Sequence, residues 1–328
     1  MTVTAGDRGR TARQGEQLAP GTRVGGRYEV LSLLGGGELG LRYACADWTE
    51  NRSVALREYF PKALCERAAG TVAVSPRDGA SGERFVRGAN AFYDVYSSMC
   101  GVVGSTDVED VRSCFFENGT AYAVSDLYEG VNLKDYLLMR RQPLSEGELI
   151  YLAEALSDAL IVIHSLNIVH GDIRAENVFL RRDGTAKLID FGAPRRVVRG
   201  LPPEERPEED ILQLGKLLFA AGGERLSKDA GAQGGDIPAG SVAALISRMA
   251  KDDLREGFCT VFELKHAINC VETVRVRPAV PTDLAARYEK RLADEAREKR
   301  KKRVIFAAFA AAALLLIGVL VFLLVKRG

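Results

Sequence analysis

HGDIRAEN at residues 170–177, followed by LIDFG at residues 188–192, is the stretch on which the reading of this chain turns. It holds an aspartate, Asp172, an asparagine five residues on, Asn177, and a second aspartate thirteen beyond that, Asp190. Residues of these types can orient a hydroxyl and hold magnesium against a triphosphate. Far upstream, Gly35, Gly37 and Gly40 form GxGxxG between two strand-like segments. A loop of this kind lets the backbone approach phosphates because no Cβ intervenes. It leads into a second strand where a dinucleotide motif would open a helix, which argues against a Rossmann fold.

The texture around these motifs divides the chain. RYEVLSLL, LRYACADW and SVALREYF read as short strands separated by Gly-rich or polar turns. DVRSCFFE and TAYAVSDL add two more, with Asn118 and Gly119 as the hairpin turn between them. Helical spacing of Phe85, Phe92, Val95 and Met99 predicts one helix packed on this five-stranded sheet. After Gly130 the periodicity is helical, and Ser145 followed by Glu148 forms a capping-box signature. A strand-rich first third with a helical remainder is an α+β, two-lobed body.

PGTRVGGRYEVLSLLGGGELGLRY, VALREYFP, FENGTAYAVSDLYEG, HGDIRAEN and LIDFG stand in one order and cover about residues 21–271. In that order the chain resembles the eukaryotic-type protein kinases, in particular the bacterial membrane-anchored Ser/Thr kinases. The resemblance implies a kinase-like fold that binds ATP and Mg2+. It makes Asp172 the catalytic base, Asn177 and Asp190 the metal ligands, and Ala55 the ceiling over adenine. It makes Asp126, Leu127 and Tyr128 the hinge that pairs with adenine, and Ser125 the gatekeeper. Gly35, Gly37 and Gly40 become the phosphate loop, and Asp210 and Gly215 lie on the helix that anchors the catalytic loop.

The departures from that pattern carry as much information. The phosphate-holding lysine of the family is Arg57 here, a wider planar fork on a longer side chain. Aligning the following helix puts Val95 where the glutamate partner of that lysine belongs. Asp94 lies one position off, about 100° away in direction. The ion pair of an active kinase is therefore expected to be missing, unless Asp94 or Arg42 compensates. Arg42 is expected as a surface residue on an edge strand. Only nine residues separate Gly192 from Pro202, and residues 193–209 contain no Ser, Thr or Tyr to phosphorylate. Gly171 replaces the arginine that reads activation-loop phosphate, and Glu38 adds a carboxylate to the phosphate loop.

Lysine plus arginine, 45, balances aspartate plus glutamate, 44, so the chain has no nucleic-acid signature. Six scattered cysteines lack metal-ligand spacing and fit reduced thiols. Residues 304–325 are apolar and uncharged throughout, long enough to cross a bilayer, and follow the basic run Lys299, Arg300, Lys301, Lys302, Arg303. The expected organisation is a flexible tail at 1–26, a kinase-like domain at 27–273 divided near residue 130, a charged linker at 274–303, a transmembrane helix at 304–325 and a short tail. Positive-inside bias places the N-terminal domain in the cytoplasm of a single-pass cell-membrane protein, with anionic lipid beside the basic run. An alanine-rich face from Ala307 to Ala313 suits a homodimer.

The expected function is a membrane-tethered pseudokinase that binds ATP and Mg2+ and acts by docking or regulation. An active, atypical Ser/Thr protein kinase that transfers the γ-phosphoryl to protein hydroxyls is the alternative. A nucleotide-free membrane scaffold is the second.

Overall fold

The nine-residue strand Tyr28–Gly36 is the longest of the main sheet of the first lobe. The computed structural model describes residues 16–102, 107–200, 206–223, 240–253, 256–281 and 283. The expected span at 304–325, its basic run and most of the linker lie outside the described residues. Among the described residues no helix is long and apolar enough to cross a membrane.

The strands are β1 (Arg23–Val24), β2 (Tyr28–Gly36), β3 (Gly40–Asp47) and β4 (Arg52–Tyr59), then a small pair, β5 (Cys65–Arg67) and β6 (Val74–Pro76). After these come α1 (Ala80–Met99), β7 (Val111–Glu117) and β8 (Thr120–Asp126). The antiparallel main sheet runs β1-β2-β3-β4-β8-β7, six strands where five were expected. The added strand comes from the supposed tail: Leu18 and Val24 are buried, and β1 pairs with β2. Asn118 and Gly119 both have positive φ, 53° and 76°, as a tight hairpin between β7 and β8 requires.

Successive side chains on a strand face opposite ways, so β4 serves two interiors. On one side Glu58 is fully buried. It accepts the hydroxyls of Tyr43 at 3.0 Å and Tyr122 at 2.7 Å and pairs with the buried Arg67. Its neighbour Arg57 is sent the other way, into the site. Helix α1 closes the sheet with Phe85, Phe92, Tyr96 and Met99. Each such side chain contributes about 1.5–3 kcal/mol by leaving water.

The second lobe starts with β9 (Gly130–Asn132) and α2 (Leu133–Arg140), where Asn132 caps the helix by accepting from Asp135 N–H at 2.8 Å. Helix α3 (Glu146–Ser165) begins with the expected capping box of Ser145 and Glu148. It buries Leu149, Leu152, Leu156, Leu160 and Ile163, the i, i+3, i+4 stripe that makes it the central helix of the lobe. A 3₁₀ turn (Ala175–Asn177) leads to β10 (Val178–Arg181) and β11 (Ala186–Leu188), which with β9 form a three-stranded sheet. Helices α4 (Ala193–Val198), α5 (Pro207–Gly222), α6 (Val242–Met249) and α7 (Val261–Asn269) follow. The domain continues past the expected boundary at 273. Val276 N–H donates to the Gly147 carbonyl at 2.8 Å, and Arg275 pairs with Glu154 at 3.2 Å.

Candidate functional site

The catalytic-loop motif is held from beneath. Asp210, fully buried on α5, accepts the backbone N–H of His170 and of Gly171, each at 2.8 Å, and meets His164 Nε2 at 2.9 Å. His170 is buried against the Phe191 ring, 5.2 Å between centroids. This fixes the loop that carries Asp172 relative to the LIDFG strand end that carries Asp190.

Asn177 joins the two aspartates. Its amide nitrogen donates to Asp172 Oδ2 at 2.6 Å, to the Asp172 carbonyl at 2.8 Å and to the Asp190 carbonyl at 3.4 Å. All three bonds are made by nitrogen, so the amide oxygen is what Asn177 offers a cation. Asp190 holds a positive φ of 69°, a costly conformation for a non-glycine residue that tertiary contacts must maintain. The three residues expected to act together are thus adjacent. Among the described residues there is no group of three or more His, Cys, Asp or Glu side chains arranged for a metal.

The nucleotide side is built from the main sheet. Leu34, Ala44 and Ala55 form one apolar cluster with Leu127 packed against it. Ala55 and Leu127 are residues the resemblance assigns to the nucleotide site, and Leu34 and Ala44 pack with them. The hinge is braced by charge: Asp126 pairs with Arg52 at 2.9 Å and with Arg112 at 2.8 Å. Tyr128 donates its hydroxyl to Asp110 at 2.5 Å, and Lys187 reaches Asp110 at 2.8 Å. Burial followed by that hydrogen bond pushes the Tyr128 hydroxyl pKa up. The apolar cluster has the chemistry that an adenine ring takes, and the Asp190 carboxylate, itself paired with Arg57, and the Asn177 amide oxygen are donors of the kind a divalent cation takes.

The carboxylate that Arg57 meets is not on α1: it comes from Glu109, between α1 and β7. Arg57 meets Glu109 Oε1 at 3.4 Å and also pairs with Asp190. Glu109 is 3% exposed and accepts the Ser125 hydroxyl at 2.8 Å. Burial opposes its charge, yet Arg57, Arg42 and Ser125 together hold its carboxyl below the ordinary range. Asp94 is exposed, and the buried face of α1 carries no carboxylate. Tyr96 is the α1 residue that faces Arg57, its ring 5.7 Å from the guanidinium. Arg42, finally, is half-buried on β3, a strand flanked on both sides, in register with Arg57. It is not an edge-strand surface residue.

The segment after LIDFG forms α4, which packs on α1 and points arginines into the site. Arg195 pairs with Asp172 and lies 3.3 Å from Glu38. Arg174 adds a contact to Asp172 at 3.2 Å. Arg199 binds Glu38 through both carboxylate oxygens. Glu38, expected to oppose a triphosphate unless metal or a nearby cation offsets it, is paired with two guanidiniums. Arg199 first, aided by Arg195 against partial burial, holds its carboxyl below the usual range.

A two-lobed body with these motifs in this order has the architecture of a protein kinase domain. The family profile described as "Protein kinase domain" matches residues 98–206. "Probable serine/threonine-protein kinase YbdM" of Bacillus subtilis (strain 168) is 28% identical over 208 residues, 62% of this chain and 72% of that protein. "Serine/threonine-protein kinase PrkC" of the same organism is 26% identical over 219 residues, but the chain spans only 31% of its length. Among solved structures, "PpkA-294 apo form" shares the fold with a TM-score of 0.63 at 21% identity, covering 77% of this chain and 99% of that one. Residues 98–206 are thus similar to the protein kinase domain, the fold is that of a protein kinase, and bacterial Ser/Thr kinases are among the proteins the chain resembles.

Proposed function

We propose that this protein is a nucleotide-binding pseudokinase that acts by docking or regulation, tethered to the cell membrane through residues 304–325 with its kinase-fold domain in the cytoplasm. The observation that carries the reading is the state of Asp172. The residue at the base position is paired with Arg195, contacted by Arg174 and hydrogen-bonded by Asn177. A base must hold a free lone pair within reach of a substrate hydroxyl. Here one carboxylate oxygen, Oδ2, is committed to Arg195, Arg174 and Asn177 of its own chain, which lowers its basicity towards a substrate hydroxyl. Arg195 is supplied by the short segment that lacks a phosphorylatable residue, so phosphorylation there offers no route to its release.

The nucleotide part of the proposal rests on the apolar cluster of Leu34, Ala44, Ala55 and Leu127, and on Asp190 with Asn177. Bound there, ATP with magnesium would supply a transferable γ-phosphoryl group. The chain's part would be to seat adenine against the hinge at Asp126–Tyr128, hold the cation with Asp190 and Asn177, and meet phosphate with Arg57. The apolar sequence at 304–325 and the basic run before it support the tether and contact with anionic lipid.

One observation favours the second reading, an active Ser/Thr kinase: Asp172, Asn177 and Asp190 are already hydrogen-bonded into one unit. A thermal-shift titration with ATP and Mg2+, paired with radiolabelled phosphotransfer by native protein and an Asp172→Asn variant, decides between them. The pseudokinase reading expects saturable stabilisation with equal, background-level transfer from both proteins. Transfer by the native protein that Asp172→Asn abolishes would establish the active kinase. Absence of stabilisation would leave the nucleotide-free scaffold.

A further inference from the structure

Arg57 stands between two carboxylates with different duties. Asp190 is 26% exposed and is the residue placed to hold a cation, whereas Glu109 is buried and faces no solvent. Glu109 is also the more firmly mounted. Its backbone N–H donates to the Leu188 carbonyl at 3.1 Å, and the adjacent Val108 forms a bridge with Leu188 and accepts Lys187 Nζ at 2.8 Å. Its side chain is fixed by Ser125, in the gatekeeper position on β8.

We propose that Glu109, oriented by Ser125, is the positioning residue for Arg57: it holds the guanidinium at the back of the cleft so that Asp190 is released to a metal-bound triphosphate. The role belongs in the family to a carboxylate on the helix corresponding to α1. In this chain it has moved to the segment before β7, which is tied to β11 and to the β8 gatekeeper. Charge balance supports the assignment. Arg42 and Arg57 face the same side of the sheet in register, and like charges at that spacing repel. Glu109 offsets one of them in a site shielded from water, where a charge left unpaired is costly. Without Glu109, Arg57 still pairs with Asp190 and competes with the cation for it. Because the anchor is no longer on α1, movement of that helix does not make or break the pair.

The inference rests on the nucleotide-binding reading, so the test measures ATP with Mg2+ and adenosine separately on the full-length chain by calorimetric titration. Adenosine reports the apolar cluster and hinge, while ATP adds the charges. Glu109→Gln keeps the shape of the side chain. It is expected to weaken ATP·Mg2+ binding about tenfold and leave adenosine within twofold, a split that general damage to the fold would not give. Ser125→Ala keeps the carboxylate but removes its hydrogen bond, with an expected loss of about threefold for ATP·Mg2+. Unchanged ATP·Mg2+ affinity in Glu109→Gln, or an equal loss for both ligands, overturns the proposal. If Glu109→Gln does not fold, unchanged ATP·Mg2+ affinity in Ser125→Ala overturns it. Failure of the native chain to bind either ligand overturns the nucleotide reading itself, and this inference with it.

Discussion

Glu38, at the tip of the glycine-rich loop, and Arg199, just past the end of α4, are joined through both carboxylate oxygens at 2.9 and 2.7 Å. With Arg195 contacting both Glu38 and Asp172, one carboxylate of the first lobe is linked to the base position of the second. The glycine-rich loop is pinned to the segment whose Arg195 pairs with Asp172.

Glu38→Gln removes both the pin and a negative charge from the path of the phosphates. Partly exposed ion pairs are worth about 1 kcal/mol at most, so ATP affinity is expected to rise by roughly fivefold while adenosine affinity stays level. Titration calorimetry measures both. An ATP affinity that stays level or falls would show that the pin helps to form the phosphate site.

The glycines of GxGxxG divide into two kinds. A Cβ on Gly40 would lie 1.8 Å from the Glu58 carbonyl, a backbone atom that cannot step aside, whereas a Cβ on Gly37 would meet nothing within 4 Å. Gly40→Ala is therefore expected to destabilise by about 1–3 kcal/mol, and Gly37→Ala to leave stability nearly unchanged. Urea unfolding curves provide the comparison. Equal losses would mean that the close approach of β3 to β4 relaxes freely.

The fold was legible in the sequence because its signals are local. Short strand-like runs between Gly-rich or polar turns mark β2, β3, β4, β7 and β8, and Ser145 with Glu148 marks the start of α3. Asp172, Asn177 and Asp190 came from one short motif whose spacing follows the chain. Glu109 was missed because its role depends on contacts across 52 residues to Arg57 and 16 to Ser125, and nothing in DVEDV separates it from its acidic neighbours. The α1 sequence offers only Val95 and Asp94 near the position of such a partner. Arg195 and Arg199 were missed for a related reason: a short arginine-rich run carries no period, and only the folded α4 aims it at Glu38 and Asp172. The tail was drawn too long because β1 has two residues, too few for a pattern.

The Glu58 cluster makes a stability prediction. Removing Arg67 leaves a fully buried carboxylate with two tyrosine hydroxyls and no cation, which costs on the order of 3–5 kcal/mol. Arg67→Met is expected to show that loss, and Glu58→Gln combined with Arg67→Met to recover a large part of it, because no unpaired charge then remains. Guanidinium unfolding of the two variants checks the ordering. A double variant less stable than Arg67→Met would place the value of the cluster in its hydrogen bonds.

His170 gives the chain a pH dependence with a defined sign. Asp172 N–H donates to Nδ1 at 3.3 Å, so that nitrogen is unprotonated, and Nε2 lies 3.1 Å from the Ile189 carbonyl, which accepts its hydrogen. The neutral ring is therefore satisfied at both ends. A second proton would point Nδ1–H at another N–H. Burial lowers the His170 pKa from its ordinary 6.5, and the carboxylates of Asp210 and Asp172 recover only part of the shift. The unfolded chain thus takes up a proton at a higher pH than the native one does. The neutral imidazole's contribution is complete above about pH 6.5 and declines as pH falls from there towards the lower native value. The slope is at most about 1.4 kcal/mol per pH unit. His170→Phe sacrifices the two hydrogen bonds and lowers stability at every pH, but it removes this proton from the balance. The difference between native and variant unfolding free energies should therefore narrow between pH 7 and pH 5, since His164 and His266 are common to both. Parallel stability profiles would mean that His170 titrates alike in both states, and that the loop carrying Asp172 is less tightly closed than its contacts with Asp210 and Phe191 require.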